Sequence, residues 1–217
     1  MKAEEFKKLK LFLLLNHTSL YEPILIGAFP NALLWEMAKR FVYPVAEKTM
    51  NSPIAGTIFR LFAPHTVSIS RRRDHTWDRF MGKCSAKNSL IGIAPEGRMK
   101  RPTGLDKSGR PMNMKSGVSE LLSQIDSGGM LLLYSGGLHH IQSPGSGLPK
   151  LFRRIRLRFE FLDIEGYKES FCRSSDPATL AKRIILDLEK RRDRHCSYGS
   201  HSSQAAVPCQ SSPISQR

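Results

Sequence analysis

Short apolar segments that end at polar or charged residues constrain the fold of this chain most. Three of them, residues 11–15, 89–94 and 130–134, are apolar at nearly every position. A strand that is apolar on both faces must be buried on both faces, as in parallel sheets covered by their connecting helices. Because segments that favour helices separate the strands, the pattern predicts a single-domain α/β fold. Its mainly parallel β-sheet is expected to be covered by helices on both faces.

Further elements follow from local patterns. Residues 66–70 are rich in β-branched residues and predict a strand. Residues 154–161 alternate three arginines and Glu160 with apolar side chains, which predicts a strand with one basic, solvent-facing side. Capping residues, prolines and apolar spacing predict helices near residues 20–29, 53–61, 75–83, 116–125 and 177–191. Residues 32–46 are ambiguous. Residues 98–114 and 136–150 are predicted to be irregular surface loops.

The chain is long enough for one domain with a full core, since it has 217 residues. We expect a folded domain over residues 1–191 and a disordered tail over residues 192–217, where Ser, Gln, His and Pro dominate. No apolar stretch is long enough to predict a transmembrane helix, and the first residues do not resemble a secretory signal. Four scattered cysteines favour free thiols in a reducing compartment.

The charge of the chain is unusual. Its formal net charge is +15. Such an excess suggests an anionic partner, which can be nucleic acid, a phosphorylated small molecule or an acidic membrane surface.

A histidine follows the first predicted strand. His17 lies two residues after the end of the strand at residues 11–15, and Glu22 lies five residues further along. The imidazole is suited to proton transfer near neutral pH, and a nearby carboxylate can orient it. Two structural alternatives exist: a histidine without a catalytic role, and a capping box in which Ser19 and Glu22 start a helix.

Charged residues also follow two other predicted strands. Arg71 follows the strand at residues 66–70, and Glu96 follows the strand at residues 89–94. Ligands of open α/β folds collect at the carboxyl ends of strands, so the three positions predict a site for an anionic substrate. His139 and His140 lack a third ligand at suitable spacing, and we predict no metal site there.

Four sequence matches, taken in order, resemble the motifs of the glycerolipid acyltransferase family, which includes 1-acylglycerol-3-phosphate acyltransferases. The first motif, N-H-x-x-x-x-D, is matched by Asn16, His17 and Glu22, and the second by Arg71 after an apolar strand. The third, F-P-E-G-T-R, is matched by Ala94-Pro95-Glu96-Gly97-Arg98, and a later K-x-G by Lys115-Ser116-Gly117. The resemblance covers about residues 8–165.

The chain departs from the family pattern at several points. Glu22 stands where the family has aspartate, and Arg98 stands where threonine is usual. The segment at residues 130–134 lacks the family's prolines, and few residues precede the first strand. The resemblance therefore describes either a minimal or a truncated member.

The resemblance implies an O-acyltransferase of phospholipid biosynthesis or remodelling. It would move a fatty acyl group from acyl-CoA or an acyl-carrier protein, as co-substrate and without another cofactor, to a hydroxyl of a lysophospholipid or glycerol phosphate. His17 would be the general base and Glu22 its orienting carboxylate. The substrate-binding residues implied are Arg71, Glu96, Gly97, Arg98 and Lys115.

Two other interpretations remain. In one, the Glu22 substitution marks a catalytically impaired acyltransferase-fold protein that binds lipid or acyl-CoA. In the other, the basic charge reflects nucleic-acid binding, although no nucleic-acid-binding motif is present. The favoured expectation is a peripheral protein on the cytoplasmic side of an anionic membrane surface, with no nucleic-acid partner.

Overall fold

The central strand of the main sheet is the apolar segment that precedes His17. A computed structural model of the protein describes residues 3–19, 21–62, 65–70, 72–86, 88–143, 149–171 and 176–196. Its strands are β1 (Leu9–Leu15), β2 (Phe41–Val42), β3 (Pro44–Ala46), β4 (Val67–Ile69), β5 (Leu90–Ile93), β6 (Gly129–Ser135) and β7 (Leu157–Asp163). Its α-helices are α1 (Ala3–Lys7), α2 (Asn31–Arg40), α3 (Glu47–Met50), α4 (Pro53–Phe62), α5 (His75–Cys84), α6 (Gly117–Gln124), α7 (Ile164–Glu169) and α8 (Pro177–His195), and a 3₁₀ helix covers Glu22–Ala28.

The main sheet has five strands in the order β2-β5-β1-β6-β7. The first four strands are parallel, and β7 pairs antiparallel with β6. Leu13 of β1 lies opposite Ile93 of β5 and Leu132 of β6. The predicted α/β fold with a mainly parallel sheet is therefore confirmed, and β1, β5 and β6 end at the same edge.

Both faces of the main sheet are buried. Leu11, Leu13 and Leu15 point into a core built with α5, α6 and α8, whereas Phe12 and Leu14 point into a second core built with the 3₁₀ helix and α2. This alternation is the period-2 geometry of a strand. A register shift between Leu9 and Leu11 explains why Leu9 packs in the second core instead of beside Leu11.

The strand before Arg71 does not join the main sheet. β4 pairs with β3 in a separate two-stranded sheet. Pro44 begins β3 and has no N–H to continue a ladder of hydrogen bonds, so the chain leaves the main sheet after β2. Of the three charged residues expected at one sheet edge, His17 and Glu96 lie at that edge. The third, Arg71, lies outside the described residues.

Several elements differ from their predicted form. The predicted helix near residues 20–29 is a 3₁₀ helix that begins at Glu22, with Pro23 in its first turn. The ambiguous residues 32–46 form α2, β2 and β3, and the short helices α1, α3 and α7 were not predicted. α8 continues to His195, so residues 192–195 are helical, and the rest of the predicted tail lies outside the described residues apart from Cys196.

Two further expectations concern membranes and thiols. Among the described residues, no helix combines the length and apolar character needed to cross a bilayer. Cys84 and Cys196 are free thiols, whereas Cys172 and Cys209 lie outside the described residues.

Candidate active site

Asn16 connects the ends of three neighbouring strands. Its backbone is in the left-handed region, with φ of 69°, which asparagine tolerates better than most residues. Its N–H donates to Glu96 Oε1 at 2.8 Å, and its Nδ2 donates to the carbonyl oxygen of Ser135 at 2.9 Å. The turn that carries His17 is therefore fixed to the residues that follow β5 and end β6.

Glu22 contacts His17 as the sequence predicts. Oε2 of Glu22 pairs with His17 Nδ1, while Oε1 accepts the N–H of Thr18 at 2.5 Å and of Ser19 at 3.2 Å. The carboxylate is buried, and the His17 side chain is 21% exposed. The backward hydrogen bond of a capping box and the contact with histidine therefore coexist, each on its own oxygen. With Nδ1–H donated to Glu22, the lone pair that can accept a proton is on Nε2.

Loops from two other strands hold the His17 turn. The N–H of Lys100, after β5, donates to the His17 carbonyl at 2.7 Å. After β6, the N–H of Leu138 donates to Thr18 Oγ1 at 2.9 Å, and Ser19 Oγ donates to Gln142 Oε1 at 2.8 Å. A histidine held in this way keeps its position relative to the sheet.

Glu96 is almost completely buried, with 1% of its surface exposed. Oε1 lies 3.9 Å from Nη1 of Arg192 in α8, and Oε2 has no hydrogen-bond partner among the described residues. Burial raises the pKa of this carboxyl, and the N–H of Asn16 and the charge of Arg192 oppose that rise. The structure thus gives Glu96 a buried position beneath the His17 turn.

Arg192 was not identified from the sequence. Its guanidinium donates to the carbonyl of Met112 at 2.8 Å, and one turn earlier Glu189 accepts the N–H of Met114 at 2.9 Å. α8 therefore supports both Glu96 and the segment that leads to Lys115. Because the contacting residues are about 80 positions apart, no local pattern could have indicated the contact.

A cavity of about 450 Å³ opens beside His17. Its walls are mainly aromatic and aliphatic and include Phe12, Leu14, Phe29, Phe41, Tyr43 and Phe59. Gly92 in β5 allows this arrangement, since a Cβ there would lie 2.2 Å from the Phe41 ring. Tyr43 stacks on Phe41 with ring centroids 5.8 Å apart, and on Phe59 at 6.4 Å. The cavity can accommodate an apolar chain next to the histidine.

Cationic side chains line the same cavity. They are Arg72, Arg73, Arg98 and Lys115. Arg73 pairs with Glu120, and Arg98 pairs with the buried Asp106, whereas Arg72 and Lys115 have no ion pair among the described residues. Arg72 and Arg73, which follow the predicted site residue Arg71 in the sequence, thus both line the cavity. Arginine and lysine at this position can bind a phosphate.

Gly97 and Lys115 lie next to each other. Gly97 has φ of 67°, and the N–H of Lys115 donates to the Pro95 carbonyl at 2.9 Å. A Cβ on Gly97 would lie 3.7 Å from Lys115 Cγ. The structure thus brings together His17, Glu22, Glu96, Gly97, Arg98 and Lys115 of the predicted set, and Arg71 lies outside the described residues.

The paired histidines after β6 bind backbone oxygens. His139 Nε2 lies 2.6 Å from the Lys100 carbonyl, and His140 Nε2 lies 2.8 Å from the Arg154 carbonyl. Within the described parts of the chain, no cluster of three metal-binding side chains occurs.

The two described thiols are poor nucleophiles. Burial raises the pKa of Cys84 and of Cys196 to about 12. A thiol with such a pKa stays protonated near neutral pH, when thiolate would be the reactive form. Neither thiol is therefore a candidate nucleophile, and the His17–Glu22 pair remains the candidate acid–base group beside the cavity.

Comparison with known proteins adds two findings. One solved structure that is similar to this chain is the 1-acyl-sn-glycerophosphate (LPA) acyltransferase PlsC from Thermotoga maritima, with a TM-score of 0.54 and 14% sequence identity. The match covers 89% of this chain and 70% of that chain, and at this identity it shows a shared fold. Among curated proteins, none matches the chain significantly.

The second finding is a family match. The family model described as Acyltransferase matches residues 2–131, more than half of the chain. This range includes His17, Glu22, Glu96 and Lys115. The chain therefore belongs to the acyltransferase family.

Proposed function

We propose that this protein transfers a fatty acyl group from a thioester, acyl-CoA or acyl-carrier protein, to a hydroxyl of a lysophospholipid or glycerol phosphate. The observation that carries the proposal is the His17–Glu22 pair beside a cavity with apolar walls and cationic side chains. The reaction would serve phospholipid biosynthesis or remodelling.

In this mechanism, His17 Nε2 removes the proton of the acceptor hydroxyl as its oxygen attacks the thioester carbonyl. Glu22 holds the required tautomer and offsets the positive charge that develops on the ring. General base catalysis typically contributes about 10²–10⁴-fold to a rate. The tetrahedral intermediate then breaks its carbon–sulfur bond, and the leaving thiolate takes the proton from His17 Nε2, which releases the free thiol and restores the neutral base.

The cavity supports an amphipathic substrate. Its aromatic and aliphatic walls suit the acyl chain, and its cations suit a phosphate. Arg72 and Lys115 are the strongest candidates for phosphate contacts, because Arg73 and Arg98 already pair with Glu120 and Asp106. The buried Glu96 supports the turn rather than contacting the phosphate, since its charge would repel that group.

We also propose that the protein acts at the surface of an anionic membrane. The acceptor lipid resides there, and the net charge of +15 favours attraction to anionic headgroups. No metal or other cofactor takes part in the proposed mechanism.

The proposal is tested by release of free thiol. The purified chain is offered a panel of acyl-CoA and acyl-carrier-protein donors, each alone and with lysophosphatidate, other lysophospholipids or glycerol 3-phosphate. We expect acceptor-dependent thiol release together with an esterified product. Tight binding of donor and acceptor without thiol release would instead support a lipid-binding protein and would contradict the proposal.

A further inference from the structure

Two neighbouring apolar side chains project from the loop before β7. Leu151 is 72% exposed, and Phe152 is fully exposed. Phe152 also has φ of 56°, a left-handed conformation that aromatic residues rarely adopt. Neither side chain contributes to the two cores. Folding of the described chain therefore does not bury them.

Exposed cations flank the apolar pair. Lys150, Arg153 and Arg154 are exposed and form no ion pair among the described residues. The sequence contains no Asp or Glu between Asp126 and Glu160. Residues 127–159 thus carry only basic charges, with no carboxylate on the same segment to neutralise them.

This loop lies at the edge of the sheet that carries His17. β7 is antiparallel to β6, and its first residue, Leu157, pairs with Ser135 at the carboxyl end of β6. The N–H of Lys150 donates to the carbonyl of Ile141 at 2.8 Å, and the N–H of Gly136 to that of Arg156 at 3.0 Å. The loop is therefore fixed to the segment after β6.

That segment in turn holds the His17 turn. Leu138 and Gln142 bind the side chains of Thr18 and Ser19, as described above. A short series of hydrogen bonds therefore connects the exposed pair to the residues beside His17. The exposed pair therefore belongs to a loop that is linked to the segment positioning the His17 turn.

We infer that residues 150–154 dock the protein on an anionic lipid surface, with Leu151 and Phe152 inserted among the lipids and Lys150, Arg153 and Arg154 on the headgroups. The apolar pair favours a bilayer over a nucleic acid. A bilayer has an apolar interior that can bury Leu151 and Phe152, whereas the phosphate backbone of a nucleic acid presents charges to them. Apolar insertion and attraction of cations together are the two contributions that give stable peripheral binding. The inference rests on the proposed function, because docking would serve to deliver a membrane-resident acceptor to His17.

Vesicle sedimentation of the full chain, without substrates, tests the docking directly. The probes are vesicles of phosphatidylcholine alone and vesicles that also contain phosphatidylserine. The first variant is Leu151→Ser with Phe152→Asn, since asparagine accepts the left-handed backbone that Phe152 has. Its matched control is Leu61→Gln with Trp35→Gln, which removes a leucine and an aromatic residue that are 74% and 66% exposed on α4 and α2.

The second variant is Arg153→Gln with Arg154→Gln, and its control is Lys182→Gln with Lys190→Gln, two exposed lysines of α8. The first variant should weaken binding to both kinds of vesicle about tenfold or more. The second should weaken binding to anionic vesicles about 25-fold, since each basic residue near such a surface contributes about fivefold. The control variants should bind like the wild type with unchanged melting temperatures.

If the control variants lose as much vesicle binding as the test variants, the inference is overturned. Binding of both test variants to vesicles as tightly as the wild type would also overturn it. So would binding to duplex DNA or RNA that is stronger than binding to vesicles and that is weakened by the changes at Arg153 and Arg154.

A water-soluble short-chain acceptor separates this inference from the proposed function. The first variant should turn over that soluble acceptor at the wild-type rate. It should turn over a long-chain acceptor with the same headgroup, presented in vesicles, more slowly than the wild type. Absence of turnover with any acceptor, with the vesicle result intact, would contradict the function alone.

Discussion

The two oxygens of Glu22 bind different groups. One accepts backbone N–H groups of residues 18 and 19, and the other pairs with His17. The family motif has aspartate at this position, and the longer side chain reaches both groups from the first turn of a 3₁₀ helix. A change at this position should therefore alter the turn and the histidine together.

Glu22→Gln should lower turnover about 10²-fold or more. The amide keeps the shape but cannot offset an imidazolium charge, and it can hold the histidine in the wrong tautomer. Thiol release at saturating substrate measures the effect. Normal turnover in a folded Gln variant would remove Glu22 from the mechanism.

Glu22→Asp tests whether one carboxylate oxygen can still bind the backbone while the other contacts His17. Its carboxylate is one methylene shorter, so we expect it to keep either the backbone bonds or the contact with His17. Turnover should fall less than in the Gln variant, and the melting temperature should fall modestly. A turnover above that of the wild type would instead show that the family's aspartate geometry is available in this chain.

Arg192→Gln should destabilise the protein by on the order of 1–3 kcal/mol, because it leaves the buried charge of Glu96 without its nearest cation. It should also raise the pKa of Glu96 further. Since a carboxyl with a raised pKa binds its proton more tightly when folded, the difference from wild type in the free energy of unfolding should grow as pH rises through the raised pKa of Glu96 and should be small in acid. Urea unfolding of both proteins at several pH values measures this difference in the free energy of unfolding.

Two further variants make the Arg192 experiment specific. Arg194→Gln removes an exposed arginine of the same helix and should have little effect. In a Glu96→Gln background, loss of Arg192 should cost less than in wild type, because no buried charge remains. Equal costs in the two backgrounds would show that Arg192 acts only through Met112 and not through Glu96.

The candidate residues differ in how visible they are in the sequence. His17 and Glu22 were predicted because a strand, a histidine and a carboxylate follow one another within a few positions. The support from Arg192 was not, because it depends on a contact between residues 96 and 192. The role of Asn16 is intermediate: the motif includes the residue, but only the structure shows its left-handed backbone and its bonds to two other strands.

Among the elements, the segment at residues 98–114 differs most from expectation. It was predicted to be an irregular surface loop, yet it is organised around the buried Asp106. This carboxylate accepts the N–H of Ser108 at 2.7 Å and of Arg110 at 3.0 Å, and it pairs with both Arg98 and Arg110. Met112 and Met114 at its end are buried. The loop therefore has a defined shape where it borders the cavity.

Asp106→Asn should loosen this loop. The backbone N–H of Arg110 is the main cause that lowers the pKa of Asp106 to about 2. A depressed pKa stabilises the fold above the usual aspartate value of about 3.9, and this contribution is lost as pH falls toward 2. The melting temperature of the variant should thus lie below that of wild type at neutral pH, with the gap closing in acid. A gap that widens in acid would contradict this assignment.

Other elements show why local patterns were incomplete. The alternation of residues 66–70 predicts a strand, which β4 confirms, but it cannot show that β4 pairs with β3 outside the main sheet. The partner of Val67 in this pairing is Pro44, more than 20 residues away in the sequence. For residues 154–161 the alternation predicted a strand with one solvent-facing side but no pairing partner, and the structure pairs β7 antiparallel with β6.

At the scale of the whole molecule, the cavity joins groups from distant parts of the chain. Its lining runs from Phe12 in β1 to Leu133 in β6, and its cations come from segments after β4, after β5 and before α6. The sequence predicted that strand ends would converge, since parallel strands end at one edge. It could not predict the apolar volume, which depends on how Phe41 and Tyr43 pack over Gly92.

Acceptor-dependent release of thiol from acyl-CoA, measured for wild type and for His17→Ala, decides whether His17 is the general base. The His17 side chain is partly exposed and lies outside both cores, so the variant should fold with a similar melting temperature. Loss of the general base should lower turnover about 10²–10⁴-fold. Retention of more than about a tenth of wild-type turnover would show that His17 is not the base.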